Sequence, residues 1–322
     1  MNDFLKEIEQ ANTIVILGHI RPDGDCVGSC LGVYNYVLDN YPDKQVDIYL
    51  DEFKPEFMFL RGADCILHEK KECQYDLCIS LDSGDLDRHA EFVSYFHEAK
   101  RKVSVDHHIS NKGFGDVSIV MTQCSATAEA LYTLLETEKI RTECAESLYV
   151  GIVHDTGVFK FSNTTKQTME IAGALIEKGA RSQYVIDGTF YKKTFKQNKM
   201  LAKALEAAYL LLDGKMIVSF LPKEVFEEND ATNLDTDGIV DAIRITEGVE
   251  CALWMYEYPN KGKYKCSLRS KEFLDVNVIA SSFGGGGHVR AAGCEVTGDP
   301  EEIITKISQM VKEQLSQCTT ES

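Results

Sequence analysis

Short apolar runs alternate with amphipathic stretches through the first half of the chain. TIVILGH (13–19), QVDIYL (45–50), YDLCISLD (75–82) and KVSVDHH (102–108) are rich in β-branched residues, and three of the four close on His or Asp. Such runs read as buried strands. Between and after them, apolar residues recur at helical spacing over 26–39, 89–100, 126–138 and 143–153. Strands alternating with helices predict a parallel sheet covered on both faces. In such sheets ligands gather beyond the carboxyl ends of the strands, so the polar residues closing these runs are the ones to examine.

Residues 165–191 read as further helices. The Lys-rich segment YKKTFKQNK (191–199) follows and reads as a solvated helix and linker. It leads into a helical pattern over 200–212, MLAKALEAAYLLL. Beyond it, 215–222, 250–258 and 263–270 read as strands, and 237–246 and 300–315 as helices. The expected organisation is a larger α/β domain over 1–186, a linker over 187–198, and a smaller α/β domain over 199–322 facing it across a cleft. The tail CTTES is expected to fray.

Four segments carry candidate chemistry. In GHIRPDGDCVGS (18–29), a strand ends at His19 and a turn presents Asp23 and Asp25, with Gly24 expected to tighten that turn. In ISLDSGD (79–85), Asp82 closes an apolar run and Asp85 is placed to cap the next helix. In SVDHHISN (104–111), Asp106, His107 and His108 close a third strand; adjacent histidines diverge, and Asp106 is placed to orient an imidazole. In GIVHDTGVFKFSNT (151–164), Asp155 follows an apolar helix, Thr156 and Gly157 form a turn, and VFKF resumes an extended pattern. Each segment alone is also what a capped turn or a solvated loop would look like.

Together they suggest more. His19, Asp23, Asp25, Asp82, His107 and Asp155 all fall where a parallel sheet would gather them. Two imidazoles and four carboxylates suit two divalent ions per chain. The histidines favour Mn²⁺, with Mg²⁺ as the alternative. A carboxylate can bridge two metals about 3.5–4 Å apart, a geometry for in-line attack on phosphorus.

Composition narrows the field. With 322 residues, 44% hydrophobic and 26% charged, the chain fits two ordinary globular domains. No apolar run approaches the roughly 20 residues of a membrane span. The acidic, amphipathic start MNDFLKEIEQ lacks the features of a secretory signal, so a cytoplasmic protein is expected. A net charge of −17 argues against binding a long duplex nucleic acid. Eleven cysteines without a C-x-x-C pair read as reduced, buried small hydrophobes. Trp254 reads as core, and His68, His89 and His97 have no constellation around them.

The H-x-x-x-D-x-D of His19–Asp25, the lone Asp82, the DHH triplet at 106–108 and the Asp155-Thr156-Gly157 turn resemble the DHH phosphoesterase superfamily. SLRS (267–270) followed by FGGGGHVRAAG (283–293) resembles the associated DHHA1 domain. The resemblance spans about 15–300. Within the superfamily, DTG-V-F-K-F is similar to the nano-RNase group of oligoribonucleases and 3′-phosphoadenosine 5′-phosphate (PAP) phosphatases. At position 154 the resemblance implies a small or hydroxyl-bearing residue, where this chain has His154.

The resemblance implies a metal-dependent hydrolase that acts on short oligoribonucleotides, on linear dinucleotides such as pApA, and on PAP. Asp82 would be the bridging ligand. His108, with Asp106, would contact the scissile phosphate or assist the leaving oxygen, and Asn111 would contact the same phosphate. Arg269, Ser270, Gly285, Gly286, Gly287 and His288 would hold the substrate, since a glycine run allows backbone N–H groups close to a phosphate and Arg binds phosphate oxygens in a fork. The partners are short RNA and nucleotides, with no membrane partner and with a homodimer left open. Two other readings stand beside this one: a cyclic-dinucleotide phosphodiesterase, and a non-catalytic nucleotide-binding sensor. A pyrophosphatase of the same superfamily is disfavoured by the SLRS and GGGGH motifs, and a RecJ-like exonuclease by size and acidity.

Overall fold

The computed structural model describes residues 2–258 and 262–318, so the end of the tail expected to fray, 319–322, lies outside the described residues. The chain divides into two compact units, Met1–Lys192 and Lys193–Ser322.

The first unit is built on five strands, β1 (Thr13–Leu17), β2 (Gln45–Tyr49), β3 (Leu77–Leu81), β4 (Arg101–Asp106) and β5 (Val117–Val120). All are parallel, in the order β2-β1-β3-β4-β5. β1 and β3 are apolar almost throughout because both sheet faces are covered, and every residue of β3 is buried. The strand order reverses direction between β1 and β3. This is the point at which a sheet of this order opens a crevice at its carboxyl edge, and His19 and Asp82 follow those two strands.

The helices of this unit are α1 (Asp3–Gln10), α2 (Gly24–Asn40), α3 (Val93–Glu98), α4 (Thr127–Leu134), α5 (Thr142–Asp155), α6 (Lys166–Glu177) and α7 (Ser182–Val185). α2 and α5 cross closely because two glycines remove side chains from the crossing. A Cβ on Gly28 would lie 2.5 Å from the Ser147 carbonyl oxygen, and one on Gly151 would lie 2.5 Å from Asp25 Oδ1. That crossing brings the first turn of α2, with Asp25, alongside the last turns of α5, which end at Asp155. β5 was missed by the hydrophobic pattern, and the segment over 89–100 is a kinked pair of short helices rather than one.

The second unit carries a mixed sheet in the order β10-β11-β9-β8-β7-β6, formed by β6 (Tyr209–Leu211), β7 (Met216–Leu221), β8 (Cys251–Glu257), β9 (Lys263–Ser270), β10 (Gly286–His288) and β11 (Ala291–Thr297). Only β7 and β8 run parallel. Its helices are α8 (Phe195–Glu206), α9 (Lys223–Glu228), α10 (Ile239–Arg244), α11 (Val276–Ser282) and α12 (Pro300–Cys318). The single helix expected over 200–212 ends at Glu206, and Tyr209–Leu211 turns back as a strand on β7. Trp254 is core, 2% exposed. Among the described residues no helix is long and apolar enough to cross a membrane. Eight of the ten described cysteines are buried; Cys65 is exposed and Cys73 intermediate.

Candidate metal centre

Four segments of the first unit converge on Asp82. This residue leaves β3 with φ +55, a left-handed conformation that Asp tolerates better than most non-glycine residues. It is 1% exposed. Its Oδ2 lies 3.5 Å from His19 Nε2, and its Oδ1 lies 3.7 Å from His107 Nε2. Thr127 Oγ1 donates to Oδ1 at 2.9 Å. The carboxylate thus faces His19 with one oxygen and His107 with the other, which also lies 3.7 Å from His108 Nδ1.

On the His19 side, Asp23 caps α2 by accepting the Asp25 and Cys26 N–H groups, and its Oδ1 stands 3.8 Å from His19 Nε2. On the His107 side, Nε2 is 3.1 Å from Asp155 Oδ2 and 3.9 Å from Asp25 Oδ2. Asp25 is fully buried and accepts the Thr127 N–H at 2.6 Å and the Ala128 N–H at 3.0 Å at the start of α4. Asp155 is the last residue of α5, so its place in the cluster comes from a helix end rather than a strand end.

These donors fit divalent metal ions. His19 Nδ1 faces the Ile20 carbonyl oxygen at 2.8 Å and His107 Nδ1 faces that of Cys124 at 3.4 Å. A carbonyl partner fixes the proton on Nδ1 and turns the Nε2 lone pair toward the carboxylates. His107 Nε2 is buried, and among the described residues it makes no well-formed hydrogen bond, Asp155 Oδ2 at 3.1 Å being an ion-pair contact. His19 and Asp82, and separately Asp25, His107 and Asp155, form groups whose ligand atoms lie within 4.8 Å of one another; Cys26 completes the first.

The electrostatics agree with a cation-seeking cluster. Burial raises the Asp25 carboxyl well above its ordinary range, and the charges of Asp82 and Asp155 add to that. Burial works against a charged His107, yet Asp155, Asp25 and Asp82 outweigh it and push the imidazole up to about 10. At His19, burial is likewise outweighed by Asp23 and Asp82, and the imidazole is held well above its usual value. Burial also opposes the charge on Asp23, but His19 and the α2 N–H groups bring it down to about 2.

Around the centre the remaining expected residues fall into distinct places. Asp106 Oδ1 accepts from His108 Nδ1 at 2.7 Å, so Asp106 orients His108, and the raised imidazole of His108 follows first from that bond. Asp106 itself is buried and reaches no further than its hydrogen-bond partners. Asn111 is 8% exposed; its amide donates to Asp106 Oδ2 and the Ser83 carbonyl and accepts the Gly113 N–H. Its polar atoms bond Asp106, Ser83 and Gly113 in this structure.

Gly24 has no left-handed φ, so the expected tight turn is not its role. A Cβ there would meet His154 Cγ at 2.2 Å. His154 bonds Thr189 through Nε2 at 2.8 Å, and burial lowers it to about 4. VFKF is not extended either. Gly157, Val158 and Phe159 have φ of +55, +59 and +61, a short left-handed turn that carries the chain away from Asp155.

Residues that sequence reasoning missed support the cluster. Thr127 binds both Asp25 and Asp82. Glu129, 1% exposed, holds Ser125 and Thr168. Asn163 donates to the carbonyls of Ser125 and Asp155 at 3.1 Å each. For Thr127 and Glu129 the available signal was a polar residue inside an apolar helical pattern; Asn163 lies in the turn between α5 and α6.

In the second unit, register places His288, Ala291 and Arg269 side by side across β10, β11 and β9. Arg269 Nε is 3.6 Å from Asp241 Oδ1, and Arg269 is only partly exposed. Gly286, Gly287 and His288 form the exposed edge strand, with Gly285 just before it. A Cβ on Gly285 would lie 2.2 Å from the Gly293 carbonyl oxygen, so the run also serves tight strand pairing. Ser270 does not join this group: it is 2% exposed and its hydroxyl donates to the Leu274 carbonyl at 2.7 Å. Exposed Arg290, in the turn after His288, is a cation that sequence reading passed over.

Residues 13–152 match the DHH family N-terminal domain, and residues 213–317 match the DHHA1 domain. The chain belongs to the DHH–DHHA1 phosphoesterase family. It is 27% identical over 318 residues to the bifunctional oligoribonuclease and PAP phosphatase NrnA of Bacillus subtilis (strain 168), covering 97% of this chain and 98% of that one. It is 27% identical to the protein of the same description from Thermus thermophilus, covering 98% and 93%. Among solved structures, an exopolyphosphatase-related protein from Bacteroides fragilis superimposes with a TM-score of 0.85 at 26% identity, covering 96% of this chain and 94% of that one. DHH phosphoesterases are metal-dependent; this chain is a phosphoesterase hydrolase, and its acidic and histidine groups could hold metal.

Proposed function

We propose that this phosphoesterase hydrolyses short oligoribonucleotides and linear dinucleotides such as pApA to mononucleotides, and PAP to AMP, in the cytosol. The observation that carries the reading is Asp82, with one oxygen toward His19 and the other toward His107. That arrangement suits a bridging carboxylate between two ions, Mn²⁺ first, with His19 and Asp23 on one side and Asp25, His107 and Asp155 on the other. Bound there, the ions would supply an activated water and a counter-charge for the phosphate.

The chain's own residues do the rest. His108, its ring held through Nδ1 by Asp106, which favours the protonated form, would offer Nε2 to substrate. It contacts the scissile phosphate or hands a proton to the leaving oxygen. In the second unit Arg269, the exposed edge of Gly286–His288 and the neighbouring Arg290 supply anion-binding groups for a terminal phosphate. A single compact anion site on an acidic chain favours short substrates, because added phosphates meet repulsion more often than contact. The names of the relatives, oligoribonuclease and PAP phosphatase, point the same way.

The test is a parallel assay with Mn²⁺ on pApA, PAP, RNA of two to about ten residues, cyclic di-AMP, pyrophosphate and duplex DNA. Rates should be highest on the shortest linear substrates and fall as RNA lengthens. A rate that rises with length, or a preference for cyclic di-AMP or pyrophosphate, overturns the reading.

A further inference from the structure

The proposed function uses nitrogen and oxygen donors alone, yet a sulfur stands in the His19 half of the cluster. Cys26 Sγ, a His19 ring nitrogen and an Asp82 oxygen lie within 4.8 Å of one another, and all three residues are buried. The sulfur is held in place. Cys26 is 0% exposed on the first turn of α2. Its Sγ accepts the His19 backbone N–H at 3.3 Å, the kind of bond that steadies a thiolate ligand. A Cβ on Gly18 would fall 2.3 Å from that Sγ, so the absence of a side chain at 18 makes the room the sulfur occupies. The same turn is fixed by Asp23, whose Oδ1 accepts the Cys26 N–H at 3.1 Å and faces His19 Nε2.

We propose that this half of the centre takes thiophilic divalent ions, Zn²⁺ foremost, with Cys26 Sγ as a ligand beside His19 and Asp82. The inference rests on the reading of the Asp82 cluster as a metal centre. The chemistry follows from donor softness. Mn²⁺ and Mg²⁺ prefer oxygen and gain little from a thiol, so the sulfur stays protonated and idle. A Zn²⁺ ion displaces the thiol proton to solvent and gains a sulfur–metal bond. One sulfur, one imidazole and one carboxylate then give three protein donors, a set that suits zinc better than manganese.

The test uses the full chain stripped of metal and titrated with Co²⁺, a spectroscopic stand-in for Zn²⁺. Visible d–d bands and elemental analysis report binding, and a near-ultraviolet sulfur-to-cobalt charge-transfer band reports a thiolate ligand. Wild type should show both. Cys26→Ser, with Cys26→Ala as a second variant, should keep the d–d bands and lose the charge-transfer band, with unchanged far-ultraviolet circular dichroism. Cys30→Ser, Cys65→Ser and Cys73→Ser should keep it. In parallel, Cys26→Ser should weaken Zn²⁺ binding about tenfold or more and leave Mn²⁺ affinity within a few-fold. Cobalt bound without the band, or a band that survives loss of Cys26, overturns the inference and leaves the metal centre standing. No cobalt bound by wild type overturns both.

Discussion

Gly24→Ala tests how this chain accommodates a histidine beside one of its cluster carboxylates. The added Cβ would lie 2.2 Å from His154 Cγ and 2.5 Å from His154 Cβ. Those atoms are at the root of the ring, so rotating the side chain does not clear them. The ring is also boxed in: Phe57 and Phe190 pack against it with centroids 5.0 and 5.6 Å away, and Thr189 holds Nε2 at 2.8 Å. Overpacking of this kind costs about 1–3 kcal/mol, and losing the Thr189 bond adds about 1 kcal/mol. Replacing a helical glycine returns about 0.5–1 kcal/mol. The net expectation is a loss of about 1–3 kcal/mol, or roughly 5 °C in Tm for a unit of this size. The assay is thermal and urea unfolding of Gly24→Ala, His154→Ala and the double variant. Removing the ring makes room for the Cβ, so the double variant should recover at least about 1 kcal/mol relative to the sum of the singles. Turnover of Gly24→Ala should fall as well, since Asp25 and Asp155 are the next residues along each chain segment. Additive losses, or a Gly24→Ala protein as stable as wild type, would refute the steric argument.

Asp82→Asn keeps the Thr127 bond and tolerates the left-handed backbone, so it should fold normally yet lose turnover and bind fewer than two Mn²⁺ per chain by elemental analysis; wild-type turnover would sink the bridging role. Arg269→Ala and His288→Ala should raise KM on pApA with little change in kcat, each by the equivalent of about 1.5–3 kcal/mol for a charge-assisted hydrogen bond; an unchanged KM would remove the second unit from substrate binding. His89, alongside His154, contributes to the pH dependence of folding. Burial lowers it from 6.5 to about 4, so between those values the unfolded chain holds more protons. Its contribution is complete above pH 6.5 and is lost as pH falls toward 4, about 3 kcal/mol in all. Urea midpoints at pH 7, 5.5 and 4.5 should show that loss in wild type and a shallower one in His89→Asn; parallel slopes would count against it.

The sheet of the first unit was legible because β1, β3 and β4 run through its interior, where a continuous β-branched run bounded by polar residues fits little besides a strand, and because β2, though at an edge, still buries Val46, Ile48 and Tyr49. β5 was not: Val117–Val120 is a short edge strand whose pattern of burial is only partial. The run over 200–212 misled because nothing in ALEAAYLLL breaks a helix. The hairpin signal, Asp213-Gly214, stood just beyond it, where Leu212, Asp213 and Gly214 all have positive φ. The cluster residues were legible one strand end at a time, since chemistry concentrates there. The supports were not, because Thr127, Glu129 and Asn163 act through contacts distant in sequence. Asn111 and Ser270 show the converse. Their motifs mark them, but burial turns their polar groups inward, and burial is a property of the packed molecule rather than of the string.

The left-handed turn after Asp155 bears on how this protein could be engineered. Val158 at φ +59 is β-branched in a conformation that disfavours any side chain, and Phe159 repeats the problem. Glycine at both positions would relieve about 1–2 kcal/mol of strain at each, but it would also remove two side chains packed against the core of the first unit and loosen the unfolded chain. The same segment carries the chain on to Asn163, which holds the Asp155 and Ser125 carbonyls. Glycine there frees the backbone that fixes one ligand of the cluster. Strain, core packing and the placing of a cluster ligand are thus tied together at two adjacent residues, and a substitution there changes all three at once.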